Sequence, residues 1–168
     1  MVSFRSDLFR PFSRGAIAGL ISLGFLFILR LGNIVPYPPE SALEGFLKII
    51  PASIQEPSVN ALGEFAGQLG LIIATFVAVI VFGILGILFE KYYARRVFTR
   101  KLSRFEKFLI FSLIPFLLFG LVILPLSGVS FFGVSSAFAS ASTSYWMFPL
   151  SLFIGSAVFG IALSWQYS

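Results

Sequence analysis

The chain has 168 residues, of which 58% are hydrophobic and 11% charged, with a mean hydropathy of +0.98. A soluble domain is about 25% charged, and a chain this poor in charge cannot cover a water-exposed globule, so the composition gives an integral membrane protein. The net charge of +5 comes with no Cys and no His, which leaves haem, iron–sulfur clusters and structural zinc without their usual ligands in this chain and rules out a Ser–His or Cys–His nucleophile.

A helix needs about 20 apolar residues to cross roughly 30 Å of hydrocarbon. Arg5, Arg10 and Arg14 precede the first such run, Gly15 to Leu31. It is long for a signal-peptide core and no small-residue cleavage site closes it, so it reads as an uncleaved span. The loop that follows, residues 32–63, opens with Pro36, Pro38 and Pro39 and is closed by Pro51 and Pro57. Inside it, Ser41-x-x-Glu44 has the form of a capping box, and Leu43, Phe46, Leu47 and Ile50 recur at helical spacing. A short amphipathic helix, about Ser41 to Ile50, is expected on the membrane face.

The second span lies between Glu64 and Glu90 and contains no charge from Phe65 to Phe89. At 1.5 Å per residue it is about 37 Å long and must tilt or protrude. Residues 90–107 then carry Lys91, Arg95, Arg96, Arg100, Lys101, Arg104 and Lys107 against Glu90 and Glu106. The third span, Phe108 to Leu126, contains Pro115, and the fourth runs from about Trp146 to Trp165, with Tyr145 and Tyr167 just beyond its tryptophans as interfacial anchors. No charged residue follows Lys107.

Cytoplasmic loops collect Lys and Arg. The basic loop and the N-terminal arginines are therefore expected inside, with the acidic first loop and the uncharged third loop outside. The expected fold is all-α: one membrane domain, 1–168, with four transmembrane helices at about 15–31, 65–89, 108–126 and 146–165, an interfacial helix in the first outer loop, and both termini cytoplasmic. The basic loop sets topology and attracts anionic lipid headgroups; no nucleic-acid role is assigned to it.

Gly15-x-x-x-Gly19 and Gly63-x-x-x-Gly67 let helices approach closely, either inside the bundle or against a partner. Arg30 closes the first span as a snorkelling anchor or as the partner of an anion such as Glu40, Glu44 or a quinone oxygen. The neutral stretch LPLSGVSFFG, 124–133, turns the chain with Pro125, Gly128 and Gly133, but turning does not explain Phe131 and Phe132. With Arg30, Phe46, Leu47 and Ile50, the four residues Gly128, Phe131, Phe132 and Gly133 are the candidates for contact with a partner or with lipid. No Asp, Glu or Lys lies inside a span, which disfavours ion pathways and proton relays, and no inverted repeat is evident.

RGAIAGLISLGFLFILRLGNIVPYPPESALEGFLKIIPASI, followed by a helix ending GILGILFEK and later by LPLSGVSFFG, resembles the N-terminal membrane region of prokaryotic sulfite-oxidase-type molybdopterin oxidoreductases. The likeness covers about Gly15 to Gly133 and lies in glycine, proline and apolar landmarks. In that family a catalytic molybdopterin domain follows the membrane region. This chain has no Cys to ligate molybdenum, so the resemblance implies a non-catalytic anchor or accessory subunit of a respiratory or redox complex, with any quinone or molybdopterin in a separate partner chain docked at the outer face. A structural small subunit of a terminal oxidase and a small transporter or channel are the alternative expectations.

Overall fold

The computed structural model describes residues 3–49, 51, 53, 57, 65–97, 103–127, 129, 131–133 and 146–167. Every regular element among them is helical. Helix α1 is Ser3–Leu31, α2 is Pro38–Ile49 and α3 is Phe65–Val97. Helix α4 is Arg104–Leu126 and α5 is Met147–Gln166. Helices α1, α3, α4 and α5 are the four long and apolar enough to cross a membrane, and α2 is the short helix between the first two. The protein is an all-α, multi-pass membrane protein.

Local chemistry places the helix ends. Ser103 caps α4: its backbone N–H donates to the Glu106 carboxylate at 2.7 Å, and the Glu106 N–H donates to the Ser103 hydroxyl at 3.2 Å. This reciprocal pair starts the helix at Arg104, earlier than the apolar run suggests. Helix α2 begins at Pro38, not Ser41. Proline suits a first helical turn, where its missing N–H is not needed. Ser41 is therefore internal to the helix rather than its cap. At the end of α1, Asn33 takes φ 53°, the left-handed conformation that asparagine tolerates better than most residues.

Helix α4 changes pitch over Phe119–Ile123, a π-helical turn in which the Leu124 N–H reaches back to the Phe119 carbonyl. The cause lies one residue on. Pro125 has no N–H to give to the Leu121 carbonyl and its ring crowds that carbonyl, so the ladder is broken there before Ser127 resumes it with an N–H to the Ile123 carbonyl at 3.0 Å.

Around the bundle the order is α3, α1, α5, α4, each packing on the next, whereas the backbones of α3 and α4 stand apart and are bridged by phenylalanine rings. The α1–α3 crossing is the closest approach. A methyl placed on Gly15 would lie 2.8 Å from the Gly86 Cα and would also strike the Phe82 carbonyl oxygen. The centre is aromatic: the Phe82 ring lies 5.2 Å from Phe119 and 4.6 Å from Phe159, and Phe89 lies 4.8 Å from Phe111.

Candidate functional site

The α2 end of the bundle is built from α1, α2 and the turn after α4. Arg30, in the last turn of α1, donates from Nε to both carboxylate oxygens of Glu40, at 3.1 and 3.2 Å. Glu40 lies in the first turn of α2. A cation at a helix C-terminus and a carboxylate at a helix N-terminus each suit the helix dipole, so the pair joins two ends already biased toward those charges. Beside it Tyr37 is buried, its ring edge-on to Phe27 at 5.7 Å and its hydroxyl 3.4 Å from Thr75 Oγ1. Burial raises the Tyr37 pKa, the Glu40 charge adds to the rise, and the Thr75 hydrogen bond opposes it.

Helix α2 turns its small residues inward. Pro38, Pro39, Ser41 and Gly45 are buried, and Gly45 packs directly on the Ser127 carbonyl oxygen, with no room for a side chain. The Ser41 hydroxyl is buried without a hydrogen-bond partner. Phe46, Leu47 and Ile49 are exposed at 58%, 42% and 59%.

The turn after α4 splits the phenylalanine pair. Phe132 has φ 53°, which swings its ring back over Gly120 and to 5.1 Å from the Phe116 ring. It joins a small core of Leu124, Val129, Phe148 and Leu152. Phe131 points away and is 62% exposed. Of the expected contact surface, then, Phe131 is outward and Phe132 packs inside its own chain. Gly133 closes the turn. Ile50, Gly63 and Gly128 lie outside the described residues.

Below α2 lies a cavity of about 570 Å³. Its roof is Pro38, Pro39, Ala42, Leu43 and Phe46 of α2, and one wall is the α3 stripe Gly70, Ile73, Ala74, Val77, Ala78 and Val81. The π-helical turn and last turn of α4 supply the facing wall, through Phe119, Ile123 and Leu124. Residues from α1 and α5 close the back. Three serines contribute hydroxyls. Ser22 directs its proton to the Gly155 carbonyl at 2.7 Å and Ser127 directs its own to the Leu124 carbonyl at 2.9 Å, while Ser156 adds a third. The walls are otherwise apolar.

The opposite end holds a polar cluster that sequence reasoning did not assemble. Glu90 accepts from Arg14 at 3.5 Å and from the Tyr167 hydroxyl at 2.8 Å. The Arg14 guanidinium lies 5.0 Å from the Tyr167 ring centroid, and Lys107 Nζ donates to the Tyr167 carbonyl at 3.2 Å. The cluster ties α1, α3, α4 and the residue just past α5 together. Burial, then the hydrogen bond to Glu90 and its charge, raises the Tyr167 pKa well above the usual tyrosine value. Each charge marked a helix boundary in the sequence, but nothing in it paired Arg14 with Glu90.

The glycines divide. Gly15 and Gly19 both face α3, meeting Gly86 and the Phe82 side chain, whereas Gly67 has nothing within 4 Å of a notional Cβ. Among the described residues no group of three or more His, Cys, Asp or Glu side chains could hold a metal ion. No family model matches the chain, and neither a curated protein nor a solved structure matches it.

Proposed function

We propose that the chain is a non-catalytic membrane subunit that docks a partner protein on the α2 end of its bundle. The observation that carries this reading is the platform there. Helix α2 is fixed by the Arg30–Glu40 pair and by the Gly45 contact on Ser127 and presents Phe46 and Ile49 outward, while the turn after α4 presents an exposed Phe131. Large apolar groups held on a fixed frame at a membrane surface suit a protein interface, because little ordering remains to oppose association. The resemblance to the membrane regions of molybdopterin oxidoreductases makes the partner an oxidoreductase and the assembly a respiratory or redox complex, with any quinone or molybdopterin chemistry in the partner.

A channel or transporter has less support. The cavity runs into the stacked Phe82 and Phe119 rings instead of continuing along the bundle. The α2 end is read as the outer face and both termini as cytoplasmic, on the basic 90–107 loop and the N-terminal arginines.

Purification in mild detergent followed by mass spectrometry tests the subunit role. An oxidoreductase chain at fixed stoichiometry is expected, and a stable, solitary monomer would overturn the proposal. Orientation is tested with single cysteines, which a Cys-free chain makes clean. Asn33→Cys should react with an impermeant maleimide from outside intact cells, and Arg104→Cys only after lysis. The reverse pattern would invert the topology.

A further inference from the structure

The cavity under α2 opens sideways. Its lining residues Ile73 and Val77, in the first half of α3, are exposed at 55% and 52%, and Leu126 across the gap is exposed at 73%. These residues flank the side where the backbones of α3 and α4 stand apart, so the mouth faces bilayer and not water. The floor is closed by Phe82, 5% exposed, stacked on Phe119 and Phe159.

Dimensions and chemistry narrow the occupant. Along α3 the lining runs from Gly70 to Phe82, about 18 Å at 1.5 Å per residue. That is close to the depth of one leaflet, half of a hydrocarbon core about 30 Å thick. Ordered water needs two to four polar partners, and the side chains lining the cavity offer only three hydroxyls, two of which, Ser22 and Ser127, already give their protons to backbone carbonyls, so water along most of its length would find apolar walls alone. An empty space would forfeit the dispersion contacts that its apolar walls can make. Hydrocarbon is the filler that remains, and the nearest source is the bilayer at the mouth.

We infer that this cavity is a lipid-tail site: it takes one acyl chain of a phospholipid from the leaflet on the α2 side, with the chain end against Phe82 and Phe119 and the headgroup left outside beside α2. Ala74 and Ala78, four residues apart on α3, leave the track along which the chain lies. Pro125 has a role in this site, since the π-helical turn it provokes includes Phe119 and Ile123, both of which line the cavity. The inference is independent of the docking role proposed above.

Photolabelling tests it on the full chain. The protein is placed in phosphatidylglycerol vesicles with a trace of phosphatidylcholine bearing a diazirine at the acyl terminus, and adducts are mapped by mass spectrometry. Phe82 and Ile84 lie at nearly the same depth on α3, but Ile84 is 48% exposed on the lipid face whereas Phe82 is 5% exposed and reachable through the cavity. Adducts on Phe82 and Phe119 at least as abundant as those on Ile84 support the site; adducts on Ile84 with none on Phe82 or Phe119 overturn it. Ala74→Phe fills the track and should cut Phe82 labelling several-fold while Ile84 labelling stays constant as the internal reference for folding. Unchanged Phe82 labelling in that variant would also overturn the site. Suppression of Phe82 labelling by an added isoprenoid quinone but not by added phospholipid would replace the acyl chain with an isoprenoid one and refute the assignment made here.

Discussion

Replacing Gly86 by alanine should force α1 away from α3. The new Cβ would lie 2.8 Å from the Gly15 Cα and 2.9 Å from the Gly15 nitrogen, and would strike the Pro11 carbonyl oxygen. Carbon atoms in ordinary contact stand about 3.5–4.0 Å apart, so the helices must separate by roughly 1 Å. All three obstacles are backbone atoms, and none can rotate out of the way. Overpacking of this kind costs about 1–3 kcal/mol. The upper part of that range is expected, because the crossing belongs to the most extensive helix pair among the described residues. Gly67→Ala, on the same helix, provides the opposite sign. Its methyl meets nothing within 4 Å, so it only restricts the unfolded chain and should stabilise by about 0.4–1 kcal/mol. Gly15→Ala and Gly86→Ala should combine to less than their sum, since one separation makes room for both methyls. Unfolding in mixed micelles, followed by far-UV circular dichroism, measures all of these. Equal stability of Gly86→Ala and Gly67→Ala would refute the close crossing.

The phenylalanine pair should behave asymmetrically in the same assay: Phe132→Ala should cost about 2 kcal/mol, below the 3–5 typical of a fully buried ring, and Phe131→Ala should stay within about 0.5 kcal/mol. Tyr167→Phe removes the hydrogen bond to Glu90 and should flatten alkaline unfolding. The folded phenol holds its proton above the ordinary pKa of 10.0, so above that pH the unfolded state binds fewer protons and stability falls as pH rises. Below that pH the contribution is fully present. The variant should lose the Tyr167 part of this slope and keep that of Tyr37, and an unchanged slope would contradict the assignment. A double-mutant cycle on Arg30 and Glu40 should give a coupling below about 1 kcal/mol, because the Arg30 side chain is 38% exposed; a coupling well above that would mean the pair is less solvated than its exposure indicates.

What was legible in the sequence follows from range. Each span is a local property of an apolar run, and all four appear. Helix α2 was legible as a proline-led amphipathic segment, but its start was not. Ser41-x-x-Glu44 and Pro38-Pro39 compete for the first turn, and the choice depends on tertiary contact: starting at Pro38 brings Glu40 to Arg30 and Gly45 onto Ser127. Ser103-x-x-Glu106 has the same capping form and does cap its helix, so the motif alone cannot distinguish the two. Glycine spacing marked Gly15 and Gly19 as packing residues, but their counterpart Gly86 lies far along the chain, inside a different motif. The cavity was not legible at all. It exists because the backbones of α3 and α4 stay apart above the Phe82–Phe119 contact, and that gap is a property of the packed bundle rather than of any segment. The split of Phe131 from Phe132 depends on one positive φ, which nothing in an FF pair announces.

The docking role is tested most directly by the amount of partner retained when the platform is charged without disturbing its support. Ile49 and Phe131 are exposed, so Ile49→Asp and Phe131→Asp should leave the bundle's unfolding unchanged. Quantitative mass spectrometry of complexes extracted from native membranes gives the molar ratio of oxidoreductase chain to this chain. A fixed ratio is expected for the wild type and a several-fold fall in both variants. A wild-type chain that elutes folded and alone, or a ratio that neither substitution changes, would contradict it.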